Sequence, residues 1–184
     1  NIREYPLTPA YFRLLLNQVE ATDGTTTERG NRLEHLATYL FLLVPGWVPV
    51  AKMKTDDQSS EHDIVVSNLN RTSDLSAELF GRRFLVECKN RKYPVRVGQV
   101  GYFLYRMRLT HCEFGVIFAQ NGITGNEDEE KAARALLRRA FHEDGSICVV
   151  LDLNDLKAIA DAKHTFYSLL LQRAQNLQFG GSGL

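Results

Sequence analysis

The chain has 184 residues, of which 44% are hydrophobic and 24% are charged; this composition fits a globular domain with a buried core and excludes intrinsic disorder for most of its length. The 22 Lys and Arg residues balance 22 Asp and Glu residues, so the chain is not a general polycation and any site for a polyanion must be local. The cysteines, Cys88, Cys112 and Cys148, form no CxxC pair, which argues against a disulfide framework or a structural zinc site and favours a reducing, cytoplasmic setting.

No segment is typical of a membrane span or a secretory leader. The longest apolar run, 39–51, is interrupted by two prolines and a glycine and is shorter than the roughly 20 residues that a membrane helix needs. The chain starts at Asn1 and ends in a Gly-rich stretch. We therefore expect one domain over 1–179, trimmed from a longer protein, followed by a flexible tail or linker over 180–184.

Apolar residues at helical spacing predict two helices before any strand. Pro9 follows Thr8 at the first helical position, and the first helix is expected over about 9–20 as an N-terminal extension. The second helix begins with the capping box Thr25-x-x-Glu28 and continues to Pro45-Gly46. Glu28 is therefore assigned to the cap and not to catalysis.

The pattern then changes to strands rich in Val, Ile, Phe and Leu, and it predicts a three-stranded meander over 47–54, 63–69 and 83–89. The elements that follow are a helix over 97–110, a strand over 114–119, a helix over 126–141, a strand over 146–151, and a helix from a cap at Asn154 or Asp155 to about 178. This order, ααβββαβαβα, predicts an α/β fold. Helices cover a mixed sheet, and a helical crossover joins the antiparallel meander to a further strand.

Two carboxylates and a lysine fall at the ends of neighbouring predicted strands. In Glu87-Cys88-Lys89 the side chains alternate, so Glu87 and Lys89 share one face, while Cys88 points the other way as a buried thiol. Asp63 begins the preceding strand, and a strand spacing of about 4.8 Å brings it beside Glu87. Two carboxylates this close repel each other unless a cation lies between them.

Magnesium suits this arrangement, because it takes one or two protein carboxylates together with waters and phosphate oxygens. Such an ion activates water and neutralises charge on a phosphodiester, while Lys89 holds the water or the phosphate. The residues therefore predict a phosphodiester hydrolase that depends on Mg²⁺, for which Mn²⁺ substitutes, with Asp63 and Glu87 as the metal ligands.

The order Asp63, then Glu87-x-Lys89, resembles the PD-(D/E)xK nuclease superfamily and, within it, the Mrr-like restriction endonucleases. The match covers about 25–120, and His62 stands where the motif has Pro. The resemblance implies a restriction-endonuclease-like αβββαβ core with a mixed central sheet flanked by helices. It also implies metal binding by Asp63 and Glu87 and hydrolysis assisted by Lys89.

Further roles follow from the same resemblance. Glu34, in Gly30-x-x-Leu33-Glu34 of the second helix, matches the Glu that completes or orients the family's catalytic site. Gln99 matches a Gln that supports the site or contacts the phosphate backbone, and Tyr102 lies one turn further along. The family also implies a DNA endonuclease that is one module of a larger restriction or antiviral defence protein and that forms homodimers.

Basic residues are concentrated around the predicted catalytic strand. Between Gly81 and Arg108 the chain has eight Lys or Arg residues and one acid, Glu87. Contacts from Lys and Arg to phosphates supply most of the sequence-independent affinity for nucleic acid. The alternative interpretation is a solvated loop and helix face. The residues expected to contact nucleic acid are Arg91, Lys92, Arg96, Gln99, Tyr102 and Arg106.

Two other functions remain open. The chain fits a catalytically silent nucleic-acid-binding module of the same fold, because fold alone does not determine function. It also fits a nuclease for RNA or tRNA, because the same metal site hydrolyses either polymer.

Glu61 is expected at the mouth of the site and His62 on the opposite strand face. No nucleotide-binding glycine motif occurs.

Overall fold

The computed structural model describes residues 2–54, 61–70, 75–123 and 127–179. Within these ranges the elements are α1 (Pro9–Glu20), α2 (Thr26–Leu42), β1 (Trp47–Lys54), β2 (Glu61–Asn68), α3 (Leu75–Phe80), β3 (Arg83–Lys89), α4 (Val97–Leu109), β4 (Phe114–Ala119), α5 (Glu127–Asp144), β5 (Ile147–Leu151), α6 (Leu153–Ala160) and α7 (Phe166–Phe179). In this part of the chain, no helix is both long enough and apolar enough to cross a bilayer. The tail predicted over 180–184 lies outside the described residues.

All five strands belong to one open sheet in the order β1-β2-β3-β4-β5. The pairs β1·β2 and β2·β3 are antiparallel, whereas β3·β4 and β4·β5 are parallel. Each parallel pair needs a crossover connection, and α4 and α5 provide the two crossovers. The predicted α/β fold with a mixed sheet flanked by helices is therefore confirmed, as is the helical crossover that follows the antiparallel strands.

Alternating side chains give the sheet two distinct faces. Phe84 of β3 and Phe118 of β4 point toward α2, where the ring centroid of Phe41 lies 5.7 Å and 5.9 Å from theirs. These rings are completely buried; burial of apolar surface is the main favourable contribution to folding, and each aromatic side chain buries a large area. This face therefore holds the aromatic core.

The opposite face of β3 and β4 lies against α4. Gly115 of β4 allows the helix to approach closely, because an added Cβ would stand 2.5 Å from the Met107 sulfur. Glu87 and Lys89 pair in register with residues of β4 that share this face. The two residues of the predicted catalytic strand are therefore directed to the side of the sheet that α4 covers.

The short helix α3 between β2 and β3 was not predicted. Its last residue, Phe80, is fully buried, with its ring centroid 4.9 Å from that of Trp47 and 4.6 Å from that of Phe114. A helix of six residues has too few turns to show an apolar period. Tertiary contacts of Phe80 and of the partly buried Leu79, rather than local periodicity, anchor the end of α3.

The prediction of one C-terminal helix was wrong, since α6 and α7 are separate. Ala162 adopts a φ of +55°, which interrupts the helix. Thr165 then caps the start of α7, with its hydroxyl oxygen accepting from the Ser168 backbone N–H at 3.2 Å. The cap of α6 also differs from the prediction of Asn154 or Asp155: Asp152 is the N-cap, and its carboxylate accepts from the Asp155 N–H at 3.0 Å.

Candidate active site

Asp63 lies where β2 separates from β3. The pairing of the two strands extends to Ile64 and Val86, and beyond this pair the Asp63 carboxylate accepts a hydrogen bond from the Cys88 backbone N–H at 2.7 Å. A side-chain oxygen thus replaces the backbone acceptor that a continued ladder would provide. The hydrogen bond fixes the carboxylate of Asp63 at the end of β3.

β1, the other strand that pairs with β2, is also distorted opposite Asp63. Ala51 pairs with Ile64, so Lys52 comes opposite Asp63, and it has a φ of +55°, which is uncommon for a residue other than glycine. Its ammonium donates to the Asn31 side-chain oxygen of α2 at 2.8 Å. Regular sheet structure is therefore interrupted on both sides of Asp63.

Glu87 is held by two cations, one on each carboxylate oxygen. Oε1 forms an ion pair with the Lys89 ammonium, and Oε2 accepts from Nη1 of Arg106 at 2.8 Å. The Glu87 side chain is only 10% exposed, so both interactions take place largely out of water. Charge-assisted hydrogen bonds of this kind are stronger than neutral ones and orient the carboxylate.

The negative charges of Asp63 and Glu87 repel each other. Burial raises the pKa of the Asp63 carboxyl, and the negative charge of Glu87 raises it further. The hydrogen bond from Cys88 and the charges of Lys89 and Arg106 act in the opposite direction. A cation between Asp63 and Glu87 would stabilise both ionised forms.

The donor chemistry of this pair fits a hard divalent cation. In the described part of the chain, no group of three or more His, Cys, Asp or Glu side chains is arranged to hold a metal ion. Mg²⁺ needs only one or two protein carboxylates, because waters and substrate phosphates complete its octahedron. Asp63 and Glu87 meet this lower requirement, provided that the Lys89 ammonium leaves Oε1 of Glu87.

Cys88 is buried, as the strand alternation predicted. The pKa of its thiol is raised well above the ordinary value, first by burial and then by the charges of Asp63, Glu34 and Glu87. Glu34 of α2 is therefore brought to the same end of β3 as the other two carboxylates. It approaches from the side of Cys88, whereas Glu87 and Lys89 project from the opposite strand face.

Two residues of α4 are placed differently from the predictions. Gln99 turns back to the start of the helix, where its Oε1 accepts from the Arg96 backbone N–H at 3.1 Å, so its side chain caps α4 instead of supporting the carboxylates. The Arg106 side chain is only 5% exposed, because it is paired with Glu87 rather than presented to a phosphate. Tyr102, in contrast, is 55% exposed.

The segment after β3 presents the remaining basic residues to solvent. Arg91, Lys92 and Arg96 are all exposed, and Lys89 immediately precedes this segment. The Asn121 side-chain amide donates to the Arg91 carbonyl at 2.6 Å, which ties the segment to the end of β4. The side chains of Glu61 and His62, for which positions were also predicted, lie outside the described part of the chain.

Sequence reasoning missed Asn90, which fixes the end of β3. Asn90 is 4% exposed, and its amide donates to the carbonyls of Arg29 in α2 at 2.8 Å and Val19 in α1 at 3.3 Å. One residue earlier, the Lys89 carbonyl accepts from the Gln120 N–H at 3.1 Å. This hydrogen bond ties the strand to the end of β4. The alternation of side chains along the strand could have identified Asn90, because it places this residue on the inward face with Cys88.

Comparison of the chain with protein-family models gives no match, and comparison with curated proteins gives no similar sequence. What the site does must therefore be inferred from its residues and their geometry.

Proposed function

We propose that this protein is a metal-dependent endonuclease that hydrolyses DNA phosphodiester bonds. The observation that carries the proposal is the convergence of Asp63, Glu87 and Lys89 where β2 and β3 separate. The order α2-β1-β2-β3-α4-β4 supports a restriction-endonuclease-like αβββαβ core, with α3 inserted before the third strand. A partly buried pair of carboxylates beside an ammonium is suited to binding a divalent cation and a phosphate together.

Asp63, Glu87 and Lys89 each have a defined role in this reaction. The Cys88 N–H holds one oxygen of Asp63, so Oδ1 is the oxygen offered to a cation, and Glu87 offers Oε1 when Lys89 moves away. The released Lys89 ammonium then binds the scissile phosphate or the attacking water. A Mg²⁺ ion held by Asp63 and Glu87 would lower the pKa of a coordinated water and neutralise charge on the phosphate. The water oxygen bonds to phosphorus and gives a proton to solvent, an ester P–O bond breaks, and the departing oxygen takes up a proton from solvent.

The exposed basic segment supports a polymeric substrate. Arg91, Lys92 and Arg96 follow the catalytic strand directly, and each exposed guanidinium or ammonium is able to contact a backbone phosphate. Tyr102 offers an exposed ring on the first turns of α4. Binding through these residues is expected to weaken steeply with salt, because phosphate contacts release counterions.

The decisive experiment compares cleavage of supercoiled plasmid, linear duplex, single-stranded DNA, and RNA in Mg²⁺, Mn²⁺ or EDTA. The wild type should cut DNA only with a metal, and Asp63→Asn and Lys89→Ala should abolish cutting while remaining folded. Lys163→Ala is the matched control, because Lys163 pairs with Asp161 on an exposed surface and should retain full activity. Undiminished cutting by Lys89→Ala would refute the assignment of this residue, and cutting of RNA alone would replace DNA as the substrate.

A second candidate function is nucleic-acid binding without catalysis. It is favoured by a specific observation: both oxygens of Glu87 already carry cationic partners, Lys89 and Arg106, so the site is neutralised by the protein itself. Calorimetric titration with Mn²⁺ separates the two functions. Binding that is lost in Asp63→Asn supports the nuclease, whereas DNA binding with no Mn²⁺ binding supports the silent module.

A further inference from the structure

We propose that Arg106 is a positioning residue for Glu87 and not a contact for nucleic acid. The proposal rests on the nuclease function above and specifies how its catalytic carboxylate is kept in place. Arg106 lies on α4, 19 positions beyond Glu87 in the sequence, and no motif of the chain assigns it this role. Its Nη1 reaches Oε2 of Glu87 at 2.8 Å.

The two cations on Glu87 differ in their access to solvent. The Arg106 side chain is 5% exposed and that of Lys89 is 21% exposed. The Lys89 ammonium is on a flexible stem at the strand end, next to the exposed basic segment, so it is free to exchange Glu87 for a phosphate. Arg106 is enclosed beneath α4 and keeps its partner. Glu87 is thereby left with one oxygen fixed and one oxygen exchangeable.

Arginine is suited to the fixed position for two reasons. Its guanidinium remains charged even when buried, and its planar set of N–H donors holds a carboxylate in one orientation. The guanidinium carbon also lies 5.8 Å from the centroid of the Tyr102 ring, within the range of a cation–π interaction. The exposed Tyr102 ring thus packs on the solvent side of a buried ion pair, and α4 serves as a rigid support for the catalytic carboxylate.

The test compares Arg106→Met and Arg106→Lys with two controls. Arg108→Met changes a residue of the same helix that pairs with Asp144 instead of Glu87, and Lys92→Met removes an exposed charge from the basic segment. Two quantities are measured: the single-turnover cleavage rate at saturating DNA and Mn²⁺, and the salt dependence of DNA affinity in EDTA. The second quantity does not depend on catalysis.

We expect Arg106→Met to lower the single-turnover rate by about 10- to 100-fold, as is typical when the partner of a metal ligand is removed. Its DNA affinity should match that of the wild type, as should its salt slope, which is the slope of log affinity against log salt concentration. Arg106→Lys should recover part of the cleavage rate. Lys92→Met should instead reduce the salt slope by about 0.9, the change for one phosphate contact. Arg108→Met should cleave at the wild-type rate.

Two outcomes overturn the positioning role. One is an unchanged single-turnover rate in Arg106→Met. The other is a salt slope reduced by about 0.9, which would place the guanidinium on a phosphate. If Arg106→Met does not fold, the single-turnover rate of Arg106→Lys decides, because that variant keeps the charge but loses the planar donor set; a rate equal to that of the wild type would overturn the positioning role. A wild type that neither binds Mn²⁺ nor cuts DNA would overturn the nuclease function as well, so the two failures are distinguishable.

Discussion

Asn90→Ala should destabilise the protein and loosen the end of β3. From the end of β3, the Asn90 side chain donates to both helices of this face, through the carbonyls of Val19 in α1 and Arg29 in α2. Removing the amide deletes both hydrogen bonds. The segment that follows Lys89 then loses these two hydrogen bonds to the helical layer.

The size of the expected loss of stability depends on whether the two carbonyl acceptors keep other hydrogen-bond partners. The Val19 carbonyl also accepts from the Gln120 side chain at 3.4 Å, and the Arg29 carbonyl lies inside α2, where it accepts an intrahelical bond. Neither acceptor is left without a partner, so each bond costs only its net value of about 0.5–1.5 kcal/mol. We expect a decrease of roughly 2 kcal/mol in the free energy of unfolding for the two bonds together.

Urea unfolding followed by tryptophan fluorescence measures this decrease. The chain has a single tryptophan, Trp47, which is buried against Phe80, Phe84 and Tyr167 and therefore reports the loss of the aromatic core. With a urea m-value of about 2–3 kcal/mol/M, the midpoint should shift down by roughly 0.7–1 M. A loss below about 0.5 kcal/mol would refute the assigned hydrogen bonds.

Asn90→Asp supplies a sharper test, because it keeps the shape of the side chain and removes its donors. Burial and the two facing carbonyls should raise the pKa of the introduced carboxyl above its value in the unfolded chain. The destabilisation is therefore complete above that raised pKa and decreases as the pH falls through it, because the folded state then binds the proton. Stability equal to that of Asn90→Ala at neutral pH would contradict this account.

Three further predictions concern the scaffold. Thr25→Ala should cost about 1 kcal/mol of stability in urea unfolding, because it removes the capping bond to the Glu28 N–H at 3.2 Å; an unchanged midpoint would show that the cap is dispensable. Gly115→Ala should cost about 1–3 kcal/mol, because the added methyl group meets the Met107 sulfur under α4, and a gain in thermal stability would show that α4 has room to move. Native protein should react slowly with a thiol reagent and unfolded protein rapidly at all three buried cysteines, Cys88, Cys112 and Cys148; fast native labelling would contradict the packing around them.

The elements that could be predicted to the residue are those with strong local signals. The predicted strands 47–54, 83–89 and 114–119 agree with β1, β3 and β4, because each is a short apolar run bounded by polar or turn residues. The break after α6 was missed, although Thr165 and Ser168 carry a reciprocal cap. The apolar residues on either side of the break continue a helical period, and this hid the local signal.

The sequence by itself determined that Glu87 and Lys89 share a face and that Asp63 lies on the neighbouring strand, because strand alternation and strand pairing are short-range rules. Only the tertiary structure decided which groups complete the site. Arg106 reaches Glu87 because α4 packs closely on β4, and Asn90 reaches carbonyls that lie 61 and 71 positions away. Contacts of this kind depend on the height and angle at which helices rest on the sheet, which are fixed by the packing of the whole core and are not encoded in any local segment.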